Sequence, residues 1–431
     1  MPIIMVQRNT VSFSVTDIEN FKKRMLSWAN QFGVCCFLDN NGYGGKHHSY
    51  ECLLAAGAAA FYSASKNILV SLQDFYQLHN DWLFGHFSYD LKNDIENLTS
   101  SHKDKVGFPD TFLFQPQTVI KINGNLVTFS CLQDEPSIVF KNIQATPIER
   151  TEPASAIYIQ PRISKETYLQ TIQKLQQHIL RGDCYEINYC MEFFAEDTVI
   201  NPLEIYQQLI SISPNPFSCF YKLNDKSLLC ASPERYLKKE GSTIISQPIK
   251  GTIRRNNADI NADETNKKQL YESTKDRSEN VMVVDLVRND LSKICKENSV
   301  QVEELFGIYT FPQLHQMIST IKGELRNDID LPGILKATFP MGSMTGAPKK
   351  RVMELIEQYE YTKRGIYSGA VGYISPEKDF DFNVVIRSIM YNQINQYLSY
   401  QVGSGITFYS NAEEEYKECL LKAKAIEKVL Q

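Results

Sequence analysis

An α+β fold, with antiparallel strands and helices packed outside them, is predicted by two kinds of periodicity in the sequence. One is period-2 alternation: Tyr185, Ile187, Tyr189, Met191 and Phe193 share one face, while Glu186, Asn188 and Glu192 share the other. Similar alternation surrounds Leu228–Ser232 and Ile244–Ile253. The other is helical spacing, which follows Ser164 and recurs at about 263–291, 348–359 and 412–430.

Each element has local grounds. The first 145 residues hold apolar runs at Cys35–Leu38, Leu53–Tyr62 and Ile68–Leu72, with turn signals such as Asn40-Asn41-Gly42 between them. They are expected to form an N-terminal region, 1–145. Residues 146–161, from Thr146-Pro147 to Pro161 with Glu152-Pro153-Ala154-Ser155 inside, read as a connector, and 162–431 as the region that carries chemistry. Ser164 is a suitable N-cap for a helix whose apolar face is Tyr168, Ile172, Leu175 and Ile179, and Gly182 is its stop. In Ile244–Ile253, Ile245, Ile249 and Ile253 point one way, and Ser246, Lys250 and Thr252 point the other. Lys250, beside Gly251 on the polar face of a strand, is well placed as an amine nucleophile, although a lone lysine is more often a solvated edge residue. Pro348 suits the first turn of a helix with Val352, Leu355, Ile356 and Tyr359 on one face.

Bulk properties exclude several function classes. The 431 residues are enough for a large core, and 43% hydrophobic with 22% charged residues is an ordinary globular composition. A net charge of −5 and a pI near 5.9, without basic runs, argue against a nucleic-acid or anionic-membrane surface. No apolar run reaches the ~18 residues of a spanning helix. The start, Met1-Pro2-Ile3-Ile4-Met5-Val6-Gln7-Arg8, lacks the basic-then-apolar order of a secretory leader. Ten cysteines, none in a Cys-x-x-Cys pair, are expected to be buried free thiols in a reducing cytoplasm. Seven histidines show no zinc spacing, so any metal is expected to be a hard ion held by carboxylates. Gly342-Ser343-Met344-Thr345-Gly346-Ala347-Pro348-Lys349 lacks the Gly-Lys-Ser/Thr of a phosphate loop, which argues against nucleotide binding.

Two helices place carboxylates on one face. Asp276 and Glu279 are three apart; Glu415, Glu418 and Lys422 are three and four apart. Spacing alone favours a solvated salt-bridge stripe. Gly403-Ser404-Gly405 brings backbone N–H groups within reach of an anion, and Arg387 offers a planar fork for a carboxylate.

Several motifs then combine: Ser232-Pro233-Glu234-Arg235, Pro248-Ile249-Lys250-Gly251-Thr252, Lys275-Asp276-Arg277-Ser278-Glu279-Asn280, Asp285-Leu286-Val287-Arg288-Asn289-Asp290, Ser343–Lys349 and Gly403-Ser404-Gly405-Ile406. In this order, over about residues 160–430, they resemble the chorismate-utilising enzymes. That resemblance implies two packed, largely antiparallel sheets with helices outside, the N-terminal half adding strands to the shared core. It implies a magnesium ion held by Glu279 and Glu418, with Asp276 and Glu415 in support. Glu234 matches the family's general acid, and His315 a histidine near the substrate ring. Tyr367 matches a residue near the enolpyruvyl group, and Lys422 one that meets substrate; Thr345, Arg387, Gly403 and Gly405 complete the expected substrate contacts.

Lys250 resembles the aminodeoxychorismate synthase branch, which aminates chorismate at C4, whereas anthranilate synthases carry alanine there. The implied chemistry is covalent catalysis by Lys250 as free amine, its pKa lowered, with ammonia from a partner glutaminase. The alternatives are anthranilate synthase component I, an isochorismate or salicylate synthase that uses water, and a non-catalytic subunit. Glu186 bears on them, because water-using relatives have lysine at this position and amine-using relatives usually glutamine. Relatives that bind tryptophan do so near Leu-Leu-Glu-Ser; here the neighbourhood is Tyr50-Glu51-Cys52-Leu53-Leu54-Ala55.

Overall fold

The structure is a computed structural model that describes residues 7–148 and 157–431. The extreme N-terminus and the middle of the expected connector, with Glu152-Pro153-Ala154-Ser155, lie outside the described residues.

The strands pair antiparallel throughout, in two long ladders that share one bent strand pair. The first ladder runs from Gln160–Pro161 through Glu186–Ala195, Tyr397–Ile406, Ser388–Asn392, Lys226–Ser232, Phe217–Leu223 and Val34–Asp39 to Cys52–Ala64. It ends with Thr111–Asn123, Leu126–Cys131 and Asn9–Ser14. The second ladder leaves from the other half of Thr111–Asn123 to Leu83–Phe87, Ala370–Ile374, Phe380–Asn383, Arg235–Glu240, Thr243–Gln247 and Leu314–Glu324. Ile249–Arg254 and Gln301–Thr310 flank that last strand. The bend falls where Cys52–Ala64 shifts register between Ala58 and Ala60, opposite Pro116, whose missing N–H interrupts the ladder. Strands from both ends of the chain thus share each sheet.

Two apolar layers follow. Between the sheets, Cys190, Tyr221 and Met390 of the first pack with Phe84, Val371, Leu237 and Ile321 of the second. On the outer face of the first sheet, Leu54, Phe129, Phe220 and Tyr400 meet helices through Met25, Ile172, Leu209, Val352 and Ile426. The fold is therefore the α+β class that the periodicities predict.

Three local expectations are corrected. Residues 263–291 are two helices, Ile260–Glu272 and Thr274–Ser292, because Ser273 is extended and its side chain caps Asp276 N–H. The strand expected over Ile244–Ile253 breaks at Pro248 into Thr243–Gln247 and Ile249–Arg254. Tyr185, expected on the apolar face, precedes the strand and is exposed, while the polar face is buried: Glu186, Asn188 and Glu192 lie within the core, as does Lys250. The sheet is covered on both sides, so alternation here separates an apolar interior from a polar one. The helix after Ser164 spans Lys165–Leu180 with the Ser164 cap in place. Pro348 is itself the cap of Lys349–Tyr359. All ten cysteines are buried free thiols. Among the described residues no helix is long and apolar enough to cross a membrane.

Candidate active site

A cavity of about 90 Å³ lies where the two ladders approach each other under the helices Thr274–Ser292 and Ala412–Leu430. Of the residues expected at the site, it is lined by Lys250, Glu234, Tyr367, Arg387, Gly403, Gly405, Lys422, Asp276, Glu279 and Glu418. A separate, larger cavity of about 510 Å³ is bounded by Tyr50, Leu53 and the Arg235–Asp381 ion pair, and contains none of those ten.

Lys250 reaches the cavity because the strand Ile249–Arg254 passes directly under the helix Thr274–Ser292. Gly251 permits this approach: its φ is +98°, and a Cβ there would lie 3.0 Å from Asp276 Cβ. Lys250 Nζ donates to Glu186 Oε1 in a buried ion pair. Burial works to lower its pKa, but the carboxylates of Glu186, Glu279 and Glu418 outweigh that and hold it above the usual lysine range. This direction is opposite to the lowered pKa expected from the sequence. The carboxylates turn the balance.

Glu234 sits at the bend between Lys226–Ser232 and Arg235–Glu240 and is 3% exposed. Burial raises its pKa to about 7, against the pull of the hydrogen bond from Ser343 Oγ (2.5 Å) and of Lys250. It is thus a carboxyl group that holds its proton near neutrality. Arg387, half-buried at a left-handed backbone position, makes no side-chain hydrogen bond or ion pair among the described residues. Burial lowers its pKa to about 10, opposed by Glu234. An unpaired guanidinium facing a cavity suits an anion.

Gly403 and Gly405 lie inside the strand Tyr397–Ile406, paired with Cys190 and Asn188. Those two partners send their own N–H groups elsewhere, to Glu360 Oε1 (2.8 Å) and Thr345 O (2.7 Å). Both pairs are therefore of the non-hydrogen-bonded kind, and the two glycine amides point away from this ladder. Among the described residues the neighbouring strand Ser388–Asn392 pairs only as far as Tyr400, which leaves that edge open there. Gly405 also clears space: a Cβ would stand 2.6 Å from both Glu186 Oε1 and Lys250 Nζ. Lys422 Nζ donates to Gly403 O at 2.9 Å and pairs with Glu418 at 2.8 Å.

The acidic face fits a hard cation. Glu279 Oε1 is buried without a hydrogen-bond partner among the described residues, and burial raises its pKa to about 8. Burial would also raise Glu418, but Lys422, Lys275 and Lys250 hold it below the ordinary value. Burial raises Asp276. Lys275 stands 2.9 Å from Glu415 and 3.9 Å from Glu279, supplying the positive charge that these carboxylates require. Among the described residues no three such side chains converge as a preformed metal cluster. An orphaned carboxylate oxygen and an all-oxygen donor set are nonetheless what magnesium takes.

Three expected residues stand outside the cavity lining. His315 is buried, bonded to Thr310 Oγ1 (3.0 Å) and Asp263 Oδ1 (3.1 Å); its strand neighbour Gln316 lines the cavity instead. Thr345 is fully buried with Oγ1 donating to Met341 O (3.2 Å), while Ser343 and Met344 form the wall. Glu415 is held by Lys275. Sequence reasoning missed Asn188, Ser343 and Gln316 as wall residues. Asn188 shares the polar face of Glu186, so the alternation itself carried that signal.

The sequence matches the chorismate binding enzyme family over residues 42–428. It is 34% identical to a probable chloroplastic aminodeoxychorismate synthase of Oryza sativa, over 82% of this chain and 38% of that protein. It is 29% identical to aminodeoxychorismate synthase component 1 of Bacillus subtilis, over 89% of this chain and 84% of that one. The chain thus spans well under half of the rice relative but most of the bacterial one. Anthranilate synthase component I of Streptococcus pneumoniae shares the fold, with a TM-score of 0.76 at 24% identity over 90% of this chain and 95% of that one.

Proposed function

This chain belongs to the chorismate-binding enzymes, and from that premise we propose that it is the synthase component that converts chorismate and ammonia to 4-amino-4-deoxychorismate. The observation that carries the reading is one cavity lined by both Lys250 and Glu234, a carboxyl group whose pKa burial raises to about 7. Similarity to proteins named aminodeoxychorismate synthase supports the same choice.

Lys250 as amine forms a bond to C2 of the ring. The two ring double bonds shift, the C4–O bond breaks, and Glu234 gives its proton so that water leaves. Ammonia then bonds to C4, the double bonds shift back, and the C2–N bond breaks to release Lys250. Glu234 recovers its proton from the new ammonium group, and enolpyruvate stays on the ring. Arg387 and the amides of Gly403 and Gly405 hold a carboxylate, with Lys422 fixing the glycine strand. Tyr367 borders the enolpyruvyl side. His315 and Thr345 act from behind the wall by fixing Gln316 and the Ser343–Met344 turn. Glu279 and Glu418, supported by Asp276 and Glu415, would hold magnesium, which when bound neutralises the ring carboxylate. The ammonia comes from a separate glutaminase component, as the designation component 1 of the Bacillus relative suggests. Ten buried thiols suit a reducing cytoplasm.

The test is product identity. Purified chain with chorismate, magnesium and an ammonium salt should give an aminated product that retains enolpyruvate and becomes 4-aminobenzoate when a lyase is added. Chelating the magnesium should abolish turnover. Anthranilate, isochorismate or salicylate as the product would overturn the reading.

A further inference from the structure

Glu186 takes no step in that chemistry, yet it is hydrogen-bonded and ion-paired to the nucleophile. It opens the strand Glu186–Ala195, is 1% exposed, and accepts from Lys250 through Oε1. Its other oxygen, Oε2, is buried with no hydrogen-bond partner among the described residues. Gly405 opposite leaves the room that this pair occupies. Other charged groups act on Lys250 from three neighbouring elements: Glu279 on Thr274–Ser292, Glu418 and Lys422 on Ala412–Leu430, and Glu234 at the sheet bend. Among the described residues only Glu186 lies within ion-pair distance of it.

The resting pair presents a chemical problem. An ammonium ion has no lone pair, so Lys250 must lose a proton before it can bond to carbon. Its side chain is 9% exposed, which leaves solvent a poor exit for that proton. The carboxylate already bonded to it is the direct acceptor.

We propose that Glu186 takes the proton that converts Lys250 from ammonium to amine when substrate fills the cavity, and gives it back when the lysine is expelled. This rests on the C4-amination reading. The cycle balances. Lys250-NH₃⁺ and Glu186 carboxylate become amine and carboxylic acid; the amine's lone pair forms the C2–N bond while the C4 oxygen leaves as water with the Glu234 proton. Attack of ammonia at C4 returns the C2–N electrons to Lys250 as neutral amine, and Glu186 reprotonates it. No proton need be exchanged with solvent to arm the nucleophile. Because the pair carries no net charge in either form, it suits a site already crowded with carboxylates.

Glu186→Gln tests this. In the variant Lys250 must lose its proton to solvent, so the variant-to-parent ratio of kcat/KM should climb with pH, by up to about tenfold per unit between about pH 6 and 9. Any effect of Glu234 ionisation is common to both proteins and cancels in the ratio. Glu186→Asp, which keeps the carboxylate, should give a ratio that is flat with pH even if the rate is lower. A flat ratio for Glu186→Gln, as a merely structural role would give, overturns the proposal. A second readout needs no turnover: labelling of Lys250 by trinitrobenzenesulfonate, followed by peptide mass spectrometry. Loss of the carboxylate should move half-reaction to lower pH in Glu186→Gln, and an unmoved value overturns the pair itself. If the parent forms no C4-aminated product while the labelling shift is present, the amination reading fails and the ion pair stands.

Discussion

Glu234 and Lys250 stand in the same cavity, yet their surroundings shift their proton affinities by different means. Burial dominates at Glu234, so the neutral acid persists to about pH 7. At Lys250 three carboxylates overcome burial and keep the cation. A general acid works only while protonated, so the rate should fall as pH rises through 7. Glu234→Gln removes the proton donor at nearly constant shape; kcat should drop about 10²- to 10⁴-fold with KM nearly unchanged, as steady-state kinetics with chorismate would register. The stability consequence has a definite sign. Because the folded pKa is raised, Glu234 contributes stability in full below about pH 4.5, and that contribution is lost as pH rises to 7. Thermal melts should therefore favour Glu234→Gln over the parent more at pH 8 than at pH 5. At this scale residue type was readable, since a lysine beside a glycine and an acid after Ser-Pro are explicit in the chain. Charge state was not, because it depends on Glu186, Glu279 and Glu418, which come from three different elements.

The strand Glu186–Ala195 shows what periodicity conveys. Its alternation assigns two faces correctly but not what covers them: Tyr189 packs in the outer apolar layer, while Asn188 lines the cavity. A polar face reads as solvent-facing unless a second layer is known to cover it. The helix expected over 263–291 failed for a related reason, since the Ser273 cap is a single-residue signal inside an otherwise helical pattern. Gly405 belongs to this scale as well. A methyl group at that position collides with the Glu186–Lys250 pair rather than with the sheet backbone, so Gly405→Ala should displace the pair and lower kcat by about 10²-fold, while circular dichroism shows the sheet intact.

The site exists because two ladders meet. Glu186 and Gly405 belong to one, Lys250 and Gln316 to the other, and helices from the middle and end of the chain supply Glu279 and Glu418. No local pattern announces that meeting; the ordered motifs and their resemblance to a family did, which is why His315 and Thr345 were placed at the substrate although they stand behind the wall. The whole assembly makes sense if Lys250 bonds to the ring and ammonia then removes it. Withholding ammonia should therefore trap the protein between the two steps. Parent chain incubated with chorismate and magnesium alone, quenched and digested, should yield a Lys250 peptide heavier by chorismate less one water. An unmodified Lys250 peptide, together with undiminished C4 amination by Lys250→Ala once ammonia is supplied, would contradict the account.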